Sequence, residues 1–161
     1  MKGTSKLILL ILLGAAAYWA PISKAAGLPV VKDFTLEAKI SLEKQAPILV
    51  LFMSNSCIYC KQVLQDFLLP MQGNPEYDSR VILRQVETSS RDKLIDFDGK
   101  ITTQSELANK HHARAVPTIV LFDSHGQELT RIVGLLTVDF YLAYLDSSIS
   151  ESQEKIKAAA K

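Results

Sequence analysis

Apolar residues along the chain occur in short runs that polar stretches separate. The unbroken run 47–53 (PILVLFM) is rich in branched side chains, and such a run predicts a strand that is covered on both faces of a sheet. A small hairpin is predicted at 94–101, with its turn at Asp98-Gly99. Further strands are predicted at 80–87, 118–123 and 128–133, the last two joined by a turn at 124–127. This order predicts parallel strands in the first half of the chain and antiparallel strands in the second half.

Apolar positions at helical spacing predict helices between these strands. One helix follows the polar break 54–56 and should end or kink at Pro70. The next stretch, 71–79, contains glycine, proline and polar residues and is predicted to be a loop. The segment 33–45 fits both strand and helix patterns, and we favour a short helix that packs before the central strand.

The second half of the chain carries clearer helix signals. Thr103 and Glu106 have the spacing of a capping box, which should open a short helix through Lys110. Thr137 should cap a final helix that carries an apolar face at helical spacing. The polar tail 151–161 should extend that helix and fray.

Cys57 and Cys60 stand where the predicted central strand gives way to a helix. A cysteine in the first helical turn lies near free backbone N–H groups and the positive end of the helix dipole. Both features favour the thiolate, which is the nucleophilic form. A cysteine three residues further on lies on the same helix face, one turn deeper. We therefore predict that Cys57 attacks a disulfide and that Cys60 resolves the mixed disulfide.

A single Cys-x-x-Cys also occurs in zinc sites and in structural disulfides. Zinc normally requires two such pairs, or one pair with histidines at fixed spacing. This chain has only two cysteines, and His111-His112 lie about fifty residues downstream. A structural disulfide that closes so small a loop would stabilise the fold little. We therefore favour the redox interpretation, with no metal and no cofactor beyond the cysteine pair.

The first 25 residues differ in kind from the remaining 26–161. Lys2 and Lys6 precede the apolar run 7–17, and small residues at 23 and 25 mark a cleavage site, a pattern typical of a secretory signal peptide. The alternative is an uncleaved membrane anchor with the domain facing the periplasm, but the run is shorter than the ~20 residues of a spanning helix. Cleavage after Ala25 removes three lysines and no acidic residue, leaving 15 basic and 17 acidic residues. The near-neutral charge gives no indication of nucleic-acid binding.

The chain is long enough for one domain, which we place at 26–150. Export to the periplasm would remove the cysteine pair from the cytosolic glutathione and thioredoxin systems. A reductant working there needs electrons delivered through the membrane.

The cysteine pair at a strand–helix junction, Pro117-Thr118 before an apolar hairpin, and a closing helix together resemble the thioredoxin superfamily. The resemblance implies an α/β fold with a central mixed sheet flanked by helices. It also implies a cis peptide bond before Pro117, and a substrate-binding site formed by Val116, Pro117 and Thr118 beside Cys57. The residues between the cysteines, Ile58-Tyr59, would flank the same site.

Within that superfamily, the chain is most similar to exported thioredoxin-related proteins of the SoxW type. The likeness covers about 33–148 and includes the stretch 96–99 (DFDG). Three departures from cytosolic thioredoxins are visible: Ser56 replaces a tryptophan, Ile58-Tyr59 replaces Gly-Pro, and Leu51 replaces a buried aspartate that helps to deprotonate the second cysteine. The base that serves Cys60 is therefore open, with Glu87 or a water molecule as candidates.

The resemblance implies an enzyme that reduces disulfide-bonded protein substrates, works as a monomer and receives electrons from a membrane thiol transporter. Two other functions remain open. The protein could be a disulfide oxidase or isomerase. It could also be a metal-binding or metallochaperone module of the same fold that performs no turnover.

Overall fold

The computed structural model describes residues 27–160. In chain order the elements are α1 (Phe34–Lys44), β1 (Ile48–Met53), α2 (Ile58–Val63), α3 (Leu69–Gln72), α4 (Pro75–Asp78), β2 (Ile82–Glu87), β3 (Lys93–Ile95), β4 (Ile101–Thr103), α5 (Gln104–Lys110), β5 (Thr118–Phe122), β6 (Glu128–Val133) and α6 (Val138–Ala159). A π-helical turn, Leu64–Leu68, joins α2 to α3.

A four-stranded sheet with the strand order β2-β1-β5-β6 forms the centre of the fold. Strand β1 runs parallel to β2 and antiparallel to β5, and β5 runs antiparallel to β6. The strand directions agree with those predicted from the sequence. All six residues of β1 are buried, which confirms that this strand is covered on both faces.

Successive side chains of a strand point to opposite faces of the sheet, and β1 therefore contributes to two separate layers of the core. Helices α2 and α6 cover one face, where the packed side chains include Leu49, Leu51, Met53, Cys60 and Tyr141. Helices α1 and α5 cover the other face, where the packed side chains include Phe34, Ile48, Val50, Phe52 and Leu107. The cysteine pair thus belongs to the α2–α6 face.

The ambiguous segment before β1 is helical, as we favoured. The Asp33 carboxylate accepts a hydrogen bond of 2.8 Å from the Thr35 N–H and so caps the start of α1. Gln45 ends the helix in a left-handed conformation, with φ of 50°. A two-pronged ion pair, with both N···O distances at 2.6 Å, joins Glu37 of α1 to Arg84 of β2.

The prediction that the helix after Cys60 ends or kinks at Pro70 misses how the chain accommodates this residue. Proline has no N–H, and the Asp66 carbonyl four residues earlier cannot receive the usual helical hydrogen bond. The preceding turn is π-helical, with the Leu69 N–H donating to the Leu64 carbonyl five residues back. The helical path therefore continues to Gln72, and part of the predicted loop 71–79 is helical in α3 and α4.

Most local signals in the second half of the chain are confirmed, but Thr137, which precedes α6 as its N-cap residue, makes no capping hydrogen bond with its side chain. Strands β3 and β4 pair as a hairpin whose turn contains Gly99 at a φ of 79°. The Thr103 hydroxyl and the Glu106 carboxylate form the predicted capping box at the start of α5. The polar tail is helical as far as Ala159, because Ser152 is fully buried and the Lys155 ammonium donates to the Leu129 carbonyl of β6.

The predicted signal peptide, 1–25, lies outside the described residues. Among residues 27–160, none of the helices combines the length and the apolar composition that crossing a membrane requires.

Candidate active site

The turn after β1 places Cys57 at the start of α2. The Cys57 N–H donates to the Ser54 carbonyl at 3.0 Å, which closes the turn 54–57. Cys57 is the N-cap residue of α2, and its Sγ accepts a hydrogen bond of 3.1 Å from the Cys60 N–H. One free N–H group of the first helical turn, that of Cys60, is therefore directed at the sulfur, an arrangement that favours the thiolate.

Cys57 and Cys60 are joined by a disulfide bond, with their Cα atoms 5.2 Å apart. The two sulfurs differ in their access to solvent. Cys57 is partly exposed, whereas Cys60 is 0% exposed and packs in the core beneath α2. Of the two sulfurs, only that of Cys57 is therefore accessible from the surface.

The loop before β5 approaches the disulfide from the other side. The Val116 carbonyl oxygen lies 3.8 Å from the Cys57 Sγ, and the Val116–Pro117 peptide bond is cis. The disulfide sulfur carries no proton, and this distance is therefore a contact rather than a hydrogen bond. The buried Thr118 hydroxyl donates to the Ala115 carbonyl at 2.7 Å and braces the loop.

The five residues predicted to bind the substrate adjoin Cys57 in the chain or belong to the Pro117 loop, and they differ in exposure. Val116 is partly buried beside the sulfur, and Pro117, which follows it in the same loop, is buried. Ile58 and Tyr59 directly follow Cys57 and are 74% and 60% exposed. The fifth, Thr118, is 1% exposed, and its side chain therefore supports the loop rather than facing solvent.

The sequence did not indicate the loop that follows β6. The Gly134 N–H donates to the Pro117 carbonyl at 2.8 Å, which places this loop beside the Pro117 loop. Gly134 has a φ of 75°, a conformation that favours glycine, and two residues later Leu136 is 74% exposed. A glycine that breaks a strand before a helix was the available signal.

Cys60 lies in apolar surroundings. The side chains that share its cluster include Leu51, at the position of the aspartate in cytosolic thioredoxins, and Val63. Such surroundings disfavour a charged sulfur. The carboxylate of Glu87, one candidate for the base, accepts hydrogen bonds from the Asn55 N–H at 2.7 Å and from the Ser89 hydroxyl at 2.8 Å.

The neighbouring histidines occupy different environments. The His111 ring lies 4.7 Å from the Phe122 ring and 6.3 Å from the Phe52 ring, measured between centroids. Burial lowers the pKa of His111, and its Nε2 has no hydrogen-bond partner within residues 27–160. His112 is exposed. In the same range, no three His, Cys, Asp or Glu side chains are grouped as a metal site requires.

The fold and the cysteine pair define the class of the protein: it is a thiol–disulfide oxidoreductase with the thioredoxin fold. More narrowly, the chain belongs to the thioredoxin-like domain family, because the sequence model of that family matches residues 34–149.

Solved structures agree with this fold. Mitochondrial thioredoxin 3 from Saccharomyces cerevisiae in its oxidised form has 20% sequence identity and a TM-score of 0.51, with 77% of this chain and 94% of that chain covered. Fasciola hepatica thioredoxin has 20% identity and a TM-score of 0.51, with 78% of this chain and 99% of that chain covered. Malassezia sympodialis thioredoxin has 19% identity and a TM-score of 0.51, with 79% and 94% covered. A search of curated proteins finds no significant match.

Proposed function

We propose that this protein reduces disulfide bonds in exported proteins and that Cys57 and Cys60 are its catalytic residues. The observation that carries the proposal is the unequal exposure of the two sulfurs, with Cys57 partly exposed and Cys60 fully buried. This arrangement gives a substrate disulfide access to one sulfur only. The Cys60 sulfur is shielded from solvent and lies within bonding distance of the Cys57 sulfur.

The reaction starts from the reduced pair. The Cys57 thiolate attacks one sulfur of the substrate disulfide, a mixed disulfide forms, and the other substrate sulfur leaves as a thiolate that takes up a proton. Cys60 then loses its proton and attacks the Cys57 Sγ. The Cys57–Cys60 disulfide forms and the second substrate thiol is released. Two electrons have passed from the pair to the substrate, and the disulfide form described above is the product state.

The rim around Cys57 supports a polypeptide as the substrate. Ile58 and Tyr59 lie on one side of the sulfur, and the loop of Val116 and Pro117 lies on the other. The exposed apolar surface of Ile58 and Tyr59 suits the apolar side chains that flank a cysteine in an unfolded segment, whereas Val116 is only partly exposed and Pro117 is buried. Thr118 contributes by bracing the loop.

The pair must be reduced again after each turnover. We propose that a membrane thiol transporter supplies the electrons, since the sequence pattern of 1–25 supports export to the periplasm. In this scheme the protein acts as a monomer of the SoxW type, and it needs no cofactor besides its cysteine pair.

The first experiment follows the reduction of insulin, with dithiothreitol as the electron source. Wild-type protein should accelerate insulin reduction, and Cys57→Ala should abolish this acceleration. Cys60→Ala should accumulate a mixed disulfide with insulin that is visible on a non-reducing gel. Catalysis retained by Cys57→Ala would contradict the assignment.

The second experiment determines the direction of the reaction. The reduction potential of the pair at pH 7 can be measured by equilibration with glutathione. A potential near the ~−270 mV of thioredoxin supports a reductant. A potential near the ~−120 mV of a strong oxidant would mean that the protein donates disulfides instead.

A further inference from the structure

The carboxylate of Glu87 contacts the turn that precedes Cys57. Glu87 is the last residue of β2 and pairs in parallel register with Met53, the last residue of β1. Paired residues of neighbouring strands point to the same face of a sheet, and for Met53 this is the face that α2 covers. From there, Glu87 Oε2 accepts the Asn55 N–H at 2.7 Å.

Glu87 is itself held on several sides. Its N–H donates to the Gln104 side-chain oxygen at 2.8 Å, and Gln104 is only 4% exposed. The next residue, Thr88, donates its N–H to the Met53 carbonyl at 2.9 Å. The Ser89 hydroxyl occupies the other carboxylate oxygen, Oε1, at 2.8 Å. The carboxylate is therefore a fixed support for the turn.

Within the described residues, this carboxylate forms no ion pair. The ion pairs formed within residues 27–160 involve eight other acidic–basic pairs, and Glu87 takes part in none of them. Its charge contacts the turn 54–57 at Asn55, two residues before Cys57. Reduction of the disulfide places negative charge on that sulfur, and the carboxylate opposes it.

We propose that Glu87 is a positioning residue that fixes the turn before Cys57 and makes the cysteine pair a stronger reductant. The hydrogen bond to Asn55 holds the turn in place, and the charge disfavours the Cys57 thiolate and hence the reduced state. The inference rests on the proposed function, because the reduction potential of the pair matters only if the pair exchanges electrons with substrates.

The test compares Glu87→Gln with Glu87→Ala, and uses Glu43→Gln as the matched control. Glutamine keeps an oxygen for the Asn55 N–H but removes the charge, whereas alanine removes both. Glu43 is exposed on α1 and forms no ion pair within the described part of the chain, so its substitution removes a charge of the same kind away from the turn. Each variant is equilibrated with glutathione at pH 7, and the iodoacetamide reactivity of Cys57 is followed against pH.

In Glu87→Gln the equilibrium constant for reduction of the pair by glutathione should rise about threefold, which corresponds to about 14 mV for a two-electron couple. The pH at which Cys57 becomes reactive should fall in the same variant. The Asn55 amide should keep its protection from hydrogen exchange in Glu87→Gln and lose it in Glu87→Ala. Glu43→Gln should match the wild type in all three measurements.

A wild-type equilibrium constant and pH profile in Glu87→Gln would overturn the inference, as would an equal shift in Glu43→Gln. Unchanged Asn55 protection in Glu87→Ala would overturn the positioning role. If Glu87→Ala fails to fold, Glu87→Gln still decides the effect of the charge. Failure of the proposed function gives a different result, since the wild type would then fail to reduce insulin whatever its equilibrium with glutathione.

Discussion

The hydroxyl group of Tyr141 offers an unusual way to stabilise this fold. Tyr141 lies on α6, is 1% exposed and packs its ring 4.9 Å from the ring of Phe67, measured between centroids. The hydroxyl oxygen is buried and has no hydrogen-bond partner within residues 27–160. Burial raises the pKa of Tyr141 to about 12. Because the ring is well packed and only the oxygen lacks a partner, Tyr141→Phe should increase the stability of the protein.

The size of the effect follows from the cost of a buried polar group. A donor left without a partner loses about 1–3 kcal/mol that water would otherwise supply. Phenylalanine removes that penalty, keeps the contact with Phe67 and leaves only a void of one oxygen atom. We expect the free energy of unfolding to rise by about 1–2 kcal/mol, and the melting temperature by roughly 3–10 °C for a domain of this size.

The assay is guanidinium unfolding of the oxidised protein, followed by circular dichroism. The slope of the unfolding free energy with denaturant should not change. Tyr144→Phe is the matched control, because the Tyr144 side chain is 50% exposed on the same helix, and its effect should stay within about 0.5 kcal/mol. A loss of about 1 kcal/mol or more in Tyr141→Phe would refute the reasoning, since the hydroxyl would then have a partner such as a buried water molecule.

Three further predictions concern pH, substrate binding and helix capping. Burial lowers the pKa of His111 below its ordinary value of 6.5, and the free energy of unfolding should therefore be greatest above pH 6.5 and fall as the pH drops below it. Urea unfolding at pH 8 and pH 5 should show a smaller loss of stability in His111→Phe than in the wild type. An equal loss in the two proteins would contradict this prediction. Ile58→Ser should raise the KM for insulin and leave turnover of a small aromatic disulfide unchanged, whereas the control Leu42→Ser, at an exposed position of α1, should change neither; an effect on both substrates would argue against a binding role. Thr103→Ala should lower the free energy of unfolding by about 1 kcal/mol through loss of the cap on α5, and an unchanged thermal melt would show that the cap contributes nothing.

The predictions that succeeded rest on signals contained in a few consecutive residues. The run 48–53 predicts a covered strand because all its side chains are apolar, and the spacing of Thr103 and Glu106 predicts a helix start because each satisfies a backbone group of the other. The cysteine pair likewise needs only its own spacing and the elements on either side of it.

The features that the sequence did not predict depend on contacts between distant residues. The helix passes Pro70 because a π-helical turn precedes it, and the hydrophobic pattern around Pro70 does not distinguish that outcome from a helix end. The Glu87 carboxylate meets the Asn55 N–H across 32 positions of the chain. The helical extension over 151–159 was predicted, but the tail was expected to fray, whereas Ser152 and Lys155 anchor it to β6, a packing that its composition does not reveal.

The disulfide closes a short loop, and the length of this loop bears on the stability of the protein through repeated reaction cycles. Cys57 and Cys60 are three positions apart, and a cross-link over so few residues restricts the unfolded chain little. Opening the bond therefore leaves the stability of the domain nearly unchanged, and the sheet and helices persist in both oxidation states. The disulfide therefore serves redox chemistry rather than the stability of the fold. We expect the oxidised and reduced forms to unfold at similar denaturant concentrations.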